Sequence, residues 1–171
     1  MKKMKVLLSL LLLLSFPHSF IDAKAERVDS YIIVNKANNK LALIQNNKVI
    51  RILPVATGSS NELTPEGTFT VIVKAKNPYY RKKNIPGGDP RNPLGSRWIG
   101  FNANGTDGRT FGVHGTNAPW SIGQYVSNGC VRMHNKDVEW LYDQVPLDSK
   151  IVITLSDKSF VALAKQYGFI Q

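Results

Sequence analysis

The chain has 171 residues, a formal net charge of +10 at pH 7 and a single cysteine. This length is sufficient for one domain with a hydrophobic core, and one cysteine excludes an internal disulfide framework. The basic residues are scattered apart from Arg81-Lys82-Lys83, which we interpret as a solvated loop, so nucleic acid is not an expected partner.

The first 25 residues are predicted to form a signal peptide. Three lysines fall among the first five residues, and an almost unbroken apolar run follows at 6–16, which is too short to span a bilayer. Small residues then allow cleavage between Ala25 and Glu26, with an uncleaved anchor as the alternative. Cleavage would remove four lysines and one aspartate, leaving a domain at 26–171 with a charge of +7 and no transmembrane segment. A basic exported protein is attracted to anionic surfaces such as cell-wall polymers.

Seven segments have the composition of β-strands, being rich in β-branched and aromatic residues or bounded by turn residues. Asn38-Asn39 and Asn46-Asn47 predict tight turns between the first three segments, and Asn104-Gly105 predicts another turn later in the chain. The predicted strands are 31–34, 41–44, 49–55, 68–74, 98–101, 110–114 and 150–155.

The tract from 76 to 95 is predicted to be a long loop, because it contains four prolines and three glycines. Long loops in compact domains are often functional. Two short helices are expected near the C-terminus, one beginning with Asn135 as its N-cap and ending before Pro146, and one over 159–167. With strands dominating, the pattern favours a mainly β sandwich or barrel.

The residues with nucleophilic or general-base potential lie close together in sequence. Cys130 could be a buried inert thiol or a reactive one. Near it, the imidazole of His114 could accept the thiol proton, and Arg132 would favour the thiolate. Gly129 permits close approach of a carbonyl substrate, and the backbone amides of Gly129 and Cys130 could form an oxyanion hole. The second imidazole nitrogen needs a partner, and Gly115 leaves space for a backbone carbonyl in that role.

Two stretches carry a resemblance to a known family. His114-Gly115-Thr116 and Ser127-Asn128-Gly129-Cys130-Val131-Arg132-Met133 resemble the catalytic domain of the L,D-transpeptidases, the YkuD-type fold. The segments at 64–69 and 92–95 resemble further landmarks of this family, and the likeness extends from about 31 to 155. The resemblance implies a YkuD-type β-sandwich of mixed sheets, with one or two short helices and a long loop over the active site.

The resemblance also implies a chemistry. Cys130 would attack the carbonyl at position three of a peptidoglycan stem peptide and release D-alanine, and a side-chain amine would then take the acyl group to form a 3→3 cross-link. His114 matches the base, and Gly115 matches the position whose carbonyl orients that base. Carbapenem-type β-lactams would be covalent inhibitors, and neither a cofactor nor a metal is implied.

Three further positions of the motif are expected to contact substrate. Arg132 matches the arginine beside the nucleophile and could meet a substrate carboxylate, while Ser127 matches the Ser or Thr of the motif. Asn128 stands where many members have histidine, which we interpret as a change in substrate contact or histidine support. The expected location is the cell wall or the extracellular space, and the oligomeric state is not predicted.

Other readings remain open from the sequence alone. Zinc could be held by Cys130, His114 and His134, although no paired ligand spacing supports it. Water in place of an acceptor amine would make the protein an L,D-carboxypeptidase or a thiol hydrolase. A wall-binding protein without enzymatic activity is a third alternative.

Overall fold

The structure is a computed structural model that describes residues 29–171. The predicted signal peptide and its cleavage site lie outside the described residues. No helix within 29–171 is long and apolar enough to cross a membrane.

The described chain contains ten strands and two α-helices. They are β1 (Ser30–Asn35), β2 (Lys40–Gln45), β3 (Lys48–Pro54), β4 (Thr57–Gly58), β5 (Gly67–Lys76), β6 (Arg97–Phe101), β7 (Phe111–His114), β8 (Tyr125–Ser127), β9 (Val131–Arg132), α1 (Asn135–Gln144), β10 (Lys150–Thr154) and α2 (Phe160–Gln166).

Eight of these strands form one mixed sheet in the order β3-β2-β1-β10-β5-β6-β7-β9, and β4 pairs with β8 in a two-stranded ribbon. The β1–β10, β7–β9 and β4–β8 pairs are parallel, and the other pairs are antiparallel. The predicted mainly β fold with mixed pairing and short helices is therefore confirmed.

The large sheet curls around one hydrophobic core. All eight of its strands contribute a buried side chain to this core, including Leu53 from β3 at one edge and Val131 from β9 at the other. Helix α1 adds Val138 and Leu141 to the same core. The opposite face of β1, β2 and β10 is covered by α2 in a smaller second cluster. Because side chains alternate between the faces of a strand, β1, β2 and β10 can be apolar on both sides and serve both clusters.

The seven predicted strands and both predicted helices are present, with ends that differ by one or two residues. The strands β4, β8 and β9 were not predicted. The N-cap of α1 is His134, so the assignment of Asn135 as the N-cap was wrong; the Asn135 side chain makes other contacts, described below. For α2, the Ser159 hydroxyl accepts a hydrogen bond from the amide of Ala162 at 3.2 Å, as its cap.

The predicted loop begins where β5 ends at Lys76 and contains one 3₁₀ turn, Arg81–Lys83. A buried asparagine holds the loop together. The Asn92 amide group donates to the carbonyls of Pro78 at 2.8 Å and Pro86 at 3.0 Å. Since Pro78 is near the start of the loop, Pro86 in its middle and Asn92 near its end, this side chain ties three parts of the loop together.

Candidate active site

Strand pairing brings the cysteine and the histidine to one face of the sheet. In the parallel pair β7–β9, Val113 lies opposite Val131, and His114 lies opposite Arg132. The two valines are fully buried in the core, so the side chains on either side of them point to the other face. Cys130 directly precedes β9 and therefore lies opposite Gly112. The thiol, the imidazole and the guanidinium thus share one face.

The imidazole of His114 is buried, at 4% exposure, and held in one orientation. Its Nδ1 lies 2.6 Å from the carbonyl oxygen of Gly115, so Nδ1 carries the proton and donates, and Nε2 is left with a lone pair. Burial lowers the pKa of His114 to about 4; the positive charge of Arg132 reinforces this effect, and the backbone carbonyls of Gly115 and Leu94 oppose it. The ring is therefore a neutral base at pH 7.

An indole ring supports this imidazole from the neighbouring strand. Trp98 on β6 stacks on His114 with ring centroids 5.4 Å apart and an interplanar angle of 18°. The Trp98 Nε1–H donates to the carbonyl of Gly108 at 2.8 Å. A Cβ at Gly112 would lie 2.6 Å from the indole, and one at Gly100 would lie 1.8 Å from the Gly108 oxygen. The absence of side chains at these glycines is thus what allows the indole to lie flat against the base.

The thiol of Cys130 is partly exposed and lies among backbone groups. Its Sγ donates to the carbonyl of Thr110 at 3.4 Å. Burial raises the pKa of the thiol above its ordinary value, against the lowering effects of the Gly112 backbone amide, Arg132 and Lys82. Within residues 29–171 no hydrogen bond joins Cys130 to His114. The site at rest therefore holds a neutral thiol beside a neutral imidazole. The expected thiolate-favouring effect of Arg132 is present, but burial outweighs it.

The turn before the cysteine is locked by a buried hydroxyl. Ser127 is 1% exposed, and its Oγ donates to the carbonyl of Cys130 at 2.6 Å and accepts from the amide of Gly129 at 3.1 Å. The predicted contact of Ser127 with substrate stays a prediction; in this structure its enclosed hydroxyl shapes the turn. The Gly129 amide already donates to this hydroxyl, which favours the amide of Cys130 as the oxyanion donor, and the predicted oxyanion hole stays a prediction.

Gly129 has a close packing role as well as a conformational one. It adopts a φ of +127°, and a Cβ there would lie 2.6 Å from the carbonyl oxygen of Leu63. Any larger residue would push the cysteine turn away from the segment that contains Leu63. The neighbouring Asn128 is exposed, which leaves its predicted contact with substrate as a prediction.

A cleft of about 310 Å³ opens in front of the thiol. The predicted loop forms one wall and the sheet the other. The cleft is lined by Val73, Ala75, Pro78, Tyr79, Tyr80, Arg81, Lys82, Leu94, Trp98, Arg109, Thr110 and Cys130. The lining therefore contains aromatic rings and three cationic side chains but no carboxylate. Such a surface suits an extended ligand that carries negative charge.

Three residues that line this cleft, Arg81, Lys82 and Trp98, were not predicted from the sequence to do so. Arg81 and Lys82 were interpreted as part of a solvated loop, yet they line the cleft, and within the described chain neither forms an ion pair. Trp98 was predicted only as part of a strand. A pairing of Trp98 with His114 could have been found from the sequence only with the register of β6 and β7, which residue pattern does not give.

The zinc alternative finds no support in the geometry. Within the described residues, no group of three or more His, Cys, Asp and Glu side chains is arranged to hold a metal ion. His134 occupies the N-cap position of α1 without a cap hydrogen bond from its side chain, and the side chain of its neighbour Asn135 lies against the glycines near His114.

Comparison with known proteins gives a consistent picture. A family model described as the L,D-transpeptidase catalytic domain, YkuD, matches residues 29–153. The chain is 56% identical over 139 residues to a Bacillus subtilis (strain 168) protein named "Putative L,D-transpeptidase YqjB", covering 81% of this chain and 79% of that protein.

Solved structures show the same fold. An L,D-transpeptidase from Mycobacterium smegmatis superposes with a TM-score of 0.58 at 23% identity, covering 74% of this chain and 58% of that one. L,D-transpeptidase 3 from Mycobacterium tuberculosis, in complex with a faropenem-derived adduct, superposes with a TM-score of 0.55 at 19% identity, covering 74% and 60%. This chain thus spans less than two thirds of each of these two structures, and at these identities the likeness concerns the fold.

Proposed function

This chain belongs to the L,D-transpeptidase catalytic domain family of enzymes, and we propose that it is an exported cysteine transpeptidase acting on peptidoglycan stem peptides. The observation that carries the proposal is the shared face of β7 and β9, where a thiol that opens to a cleft lies beside a buried imidazole with a free Nε2 lone pair.

The proposed first half-reaction is acylation. As the Cys130 sulfur bonds to the carbonyl carbon at stem position three, the thiol proton passes to Nε2 of His114. The negative charge that develops on the carbonyl oxygen is met by the Cys130 amide. The peptide bond to D-alanine then breaks, and the amine leaves with the proton from the imidazolium. The product is a thioester on Cys130.

The second half-reaction returns the enzyme to its starting state. A side-chain amine of another stem attacks the thioester and gives a proton to His114. The bond between carbon and sulfur breaks, the sulfur recovers the proton, and a 3→3 cross-link is released. Both halves use the same neutral imidazole as the base, which agrees with the low pKa of His114.

The lining of the cleft supports a peptide donor with carboxylates. Tyr79, Tyr80 and Trp98 offer rings for the peptide backbone and side chains. Arg81 and Lys82 offer positive charges, and no carboxylate among residues 29–171 forms an ion pair with either of them. Arg132 lies opposite His114 in the β7–β9 pair, where we propose that it meets a substrate carboxylate.

Hydrolysis is the alternative outcome of the same acyl-enzyme. A tetrapeptide stem incubated with the enzyme, with and without an acceptor amine, separates the two by mass spectrometry. Transpeptidation predicts a cross-linked dimer and free D-alanine. Trimmed tripeptide with no dimer would show an L,D-carboxypeptidase, and no reaction at all would favour a wall-binding protein without activity.

Covalent reaction with β-lactams follows from the same chemistry. The M. tuberculosis structural neighbour is described in complex with a faropenem-derived adduct. We infer that a carbapenem-type ring, which presents a strained carbonyl, acylates Cys130 in this chain and blocks the cleft.

Export and the domain boundary are part of the proposal. The domain would begin at Glu26 and extend to Gln171, and its positive charge would hold it on anionic wall polymers. N-terminal sequencing of the protein recovered outside the cells should start at Glu26. Retention of residues 1–25 on that protein would overturn the predicted cleavage.

A further inference from the structure

The inference begins at the peptide group between Gly115 and Thr116. Its carbonyl oxygen accepts the 2.6 Å hydrogen bond from Nδ1 of His114. Its N–H, on Thr116, donates to Oδ1 of Asn135 at 3.2 Å. Because the C=O and N–H of a trans peptide point in opposite directions, one peptide group connects the imidazole on one side with the asparagine amide on the other.

Asn135 makes more than this one contact. Its Oδ1 also accepts from the amide of Ser96 at 3.3 Å, and its Nδ2 donates to the carbonyl of Thr116 at 3.3 Å. One side chain thus holds the strand end after His114 and the loop end before β6. The residue is the first of α1, so its backbone is anchored by the helix.

The packing around this amide group leaves no room for a side chain on either neighbouring glycine. A Cβ at Gly115 would lie 2.1 Å from Asn135 Oδ1, and one at Gly95 would lie 2.2 Å from the same atom. Gly95 also adopts a φ of +63°. The two glycines therefore pack closely against the side-chain amide of Asn135, and a side chain at either glycine would displace it.

We propose that Asn135 is a positioning residue for the His114 base, acting through the Gly115–Thr116 peptide group. The asparagine fixes the plane of that peptide group, and hence the direction of the Gly115 carbonyl. The carbonyl in turn keeps the proton on Nδ1 and leaves Nε2 free for the thiol. Hydrogen bonds in such a chain also polarise one another, so the bond from Thr116 strengthens the acceptor that faces the imidazole.

The side-chain chemistry explains why asparagine suits this position. The site requires an acceptor for two backbone N–H groups and a donor for one carbonyl, and an amide supplies both. Aspartate would keep the acceptor and lose the donor. Alanine would lose both, and the Gly115–Thr116 peptide group would be free to rotate away from the ring.

The inference rests on the proposed role of His114, but its first test needs no activity. In the full chain with ¹⁵N-labelled histidine, the nitrogen shifts report which ring nitrogen carries the proton, and the signals of His114 are assigned with His114→Asn. We expect the Nδ1–H form in the wild type and a mixture of both tautomers in Asn135→Ala. Lys136→Ala, an exposed neighbour on α1, is the control and should match the wild type.

The second readout is the rate constant of acylation by a β-lactam at saturation. Because the His114 base would be less well oriented in Asn135→Ala, acylation should be roughly 10–100-fold slower in that variant, with little change in the half-saturating concentration of the β-lactam. Asn135→Asp keeps the acceptor, so it should keep the Nδ1–H form and recover most of the rate.

The outcomes separate this inference from the proposed function. Wild-type tautomer and rate in Asn135→Ala would overturn the inference and leave the proposed function standing. A wild type that is never acylated would count against the proposed function, while the tautomer measurement would still decide the role of Asn135. If Asn135→Ala does not fold, Asn135→Asp decides, because its added negative charge should raise the pKa of His114 through the peptide group; an unchanged titration would overturn the inference.

Discussion

The buried imidazole makes a specific prediction about stability and pH. In the unfolded chain His114 takes up a proton near its ordinary pKa of about 6.5. In the folded protein, burial holds that pKa at about 4. Between these values the unfolded state binds more protons, so the free energy of unfolding must fall as the pH falls from 6.5 towards 4. Each pH unit inside that window costs about 1.4 kcal/mol, which gives about 2 kcal/mol between pH 7 and pH 5.

Carboxylates also titrate at low pH and change the free energy of unfolding. Their contribution is removed by comparing the loss of that free energy in the wild type with the loss in a variant that lacks the imidazole. Urea unfolding followed by tryptophan fluorescence gives the free energy of unfolding at pH 7 and pH 5 for the wild type and for His114→Asn. The variant cannot take up a proton at this position, while its amide can still donate to the Gly115 carbonyl. The wild type should lose about 2 kcal/mol more than the variant. Equal losses in the two proteins would refute the buried, neutral imidazole.

Three further predictions follow from the site. The rate of alkylation of Cys130 should rise with pH only above the ordinary thiol pKa of about 8.5, because burial raises the pKa of this thiol. Arg132→Gln removes a nearby cation and should move this rise to still higher pH; an unchanged pH profile would contradict the effect of Arg132 on the thiol. Ser127→Ala should lower the free energy of unfolding by about 1–3 kcal/mol in urea titrations, since the buried amide of Gly129 and the partly buried carbonyl of Cys130 lose their partner; no loss would contradict these hydrogen bonds. Lys82→Gln should weaken binding of an acidic stem peptide and reduce the dependence of that binding on salt, while Lys136→Gln, at an exposed position on α1, should do neither. Equal effects of the two substitutions would contradict a contact between Lys82 and the bound peptide.

Local sequence signals were sufficient for most of the fold. The asparagine pair at 46 and 47 adopts positive φ values of 48° and 61°, as its predicted turn requires. The same reasoning did not find β9, because two residues are too few for a pattern to be read. Yet β9 is the strand that sets Cys130 opposite Gly112. Its position depends on pairing with β7, a contact between segments that are separated in sequence.

The site residues divide in a similar way. Cys130 and His114 were recognised by their residue type and by the motif around them, and the structure brings them to one face. The roles of Ser127 and Asn135 could not be read from sequence, because serine and asparagine bind backbone as readily as substrate. Only the positions of nearby amides and carbonyls show that both side chains are engaged with the backbone of the site.

The acylation of Cys130 is tested most directly by intact-protein mass spectrometry after exposure to a carbapenem. The account predicts that the wild type gains the mass of one ring-opened molecule, carried by the peptide that contains Cys130, and that Cys130→Ala gains nothing. A wild type whose mass does not change, or an adduct that persists in Cys130→Ala, would contradict it.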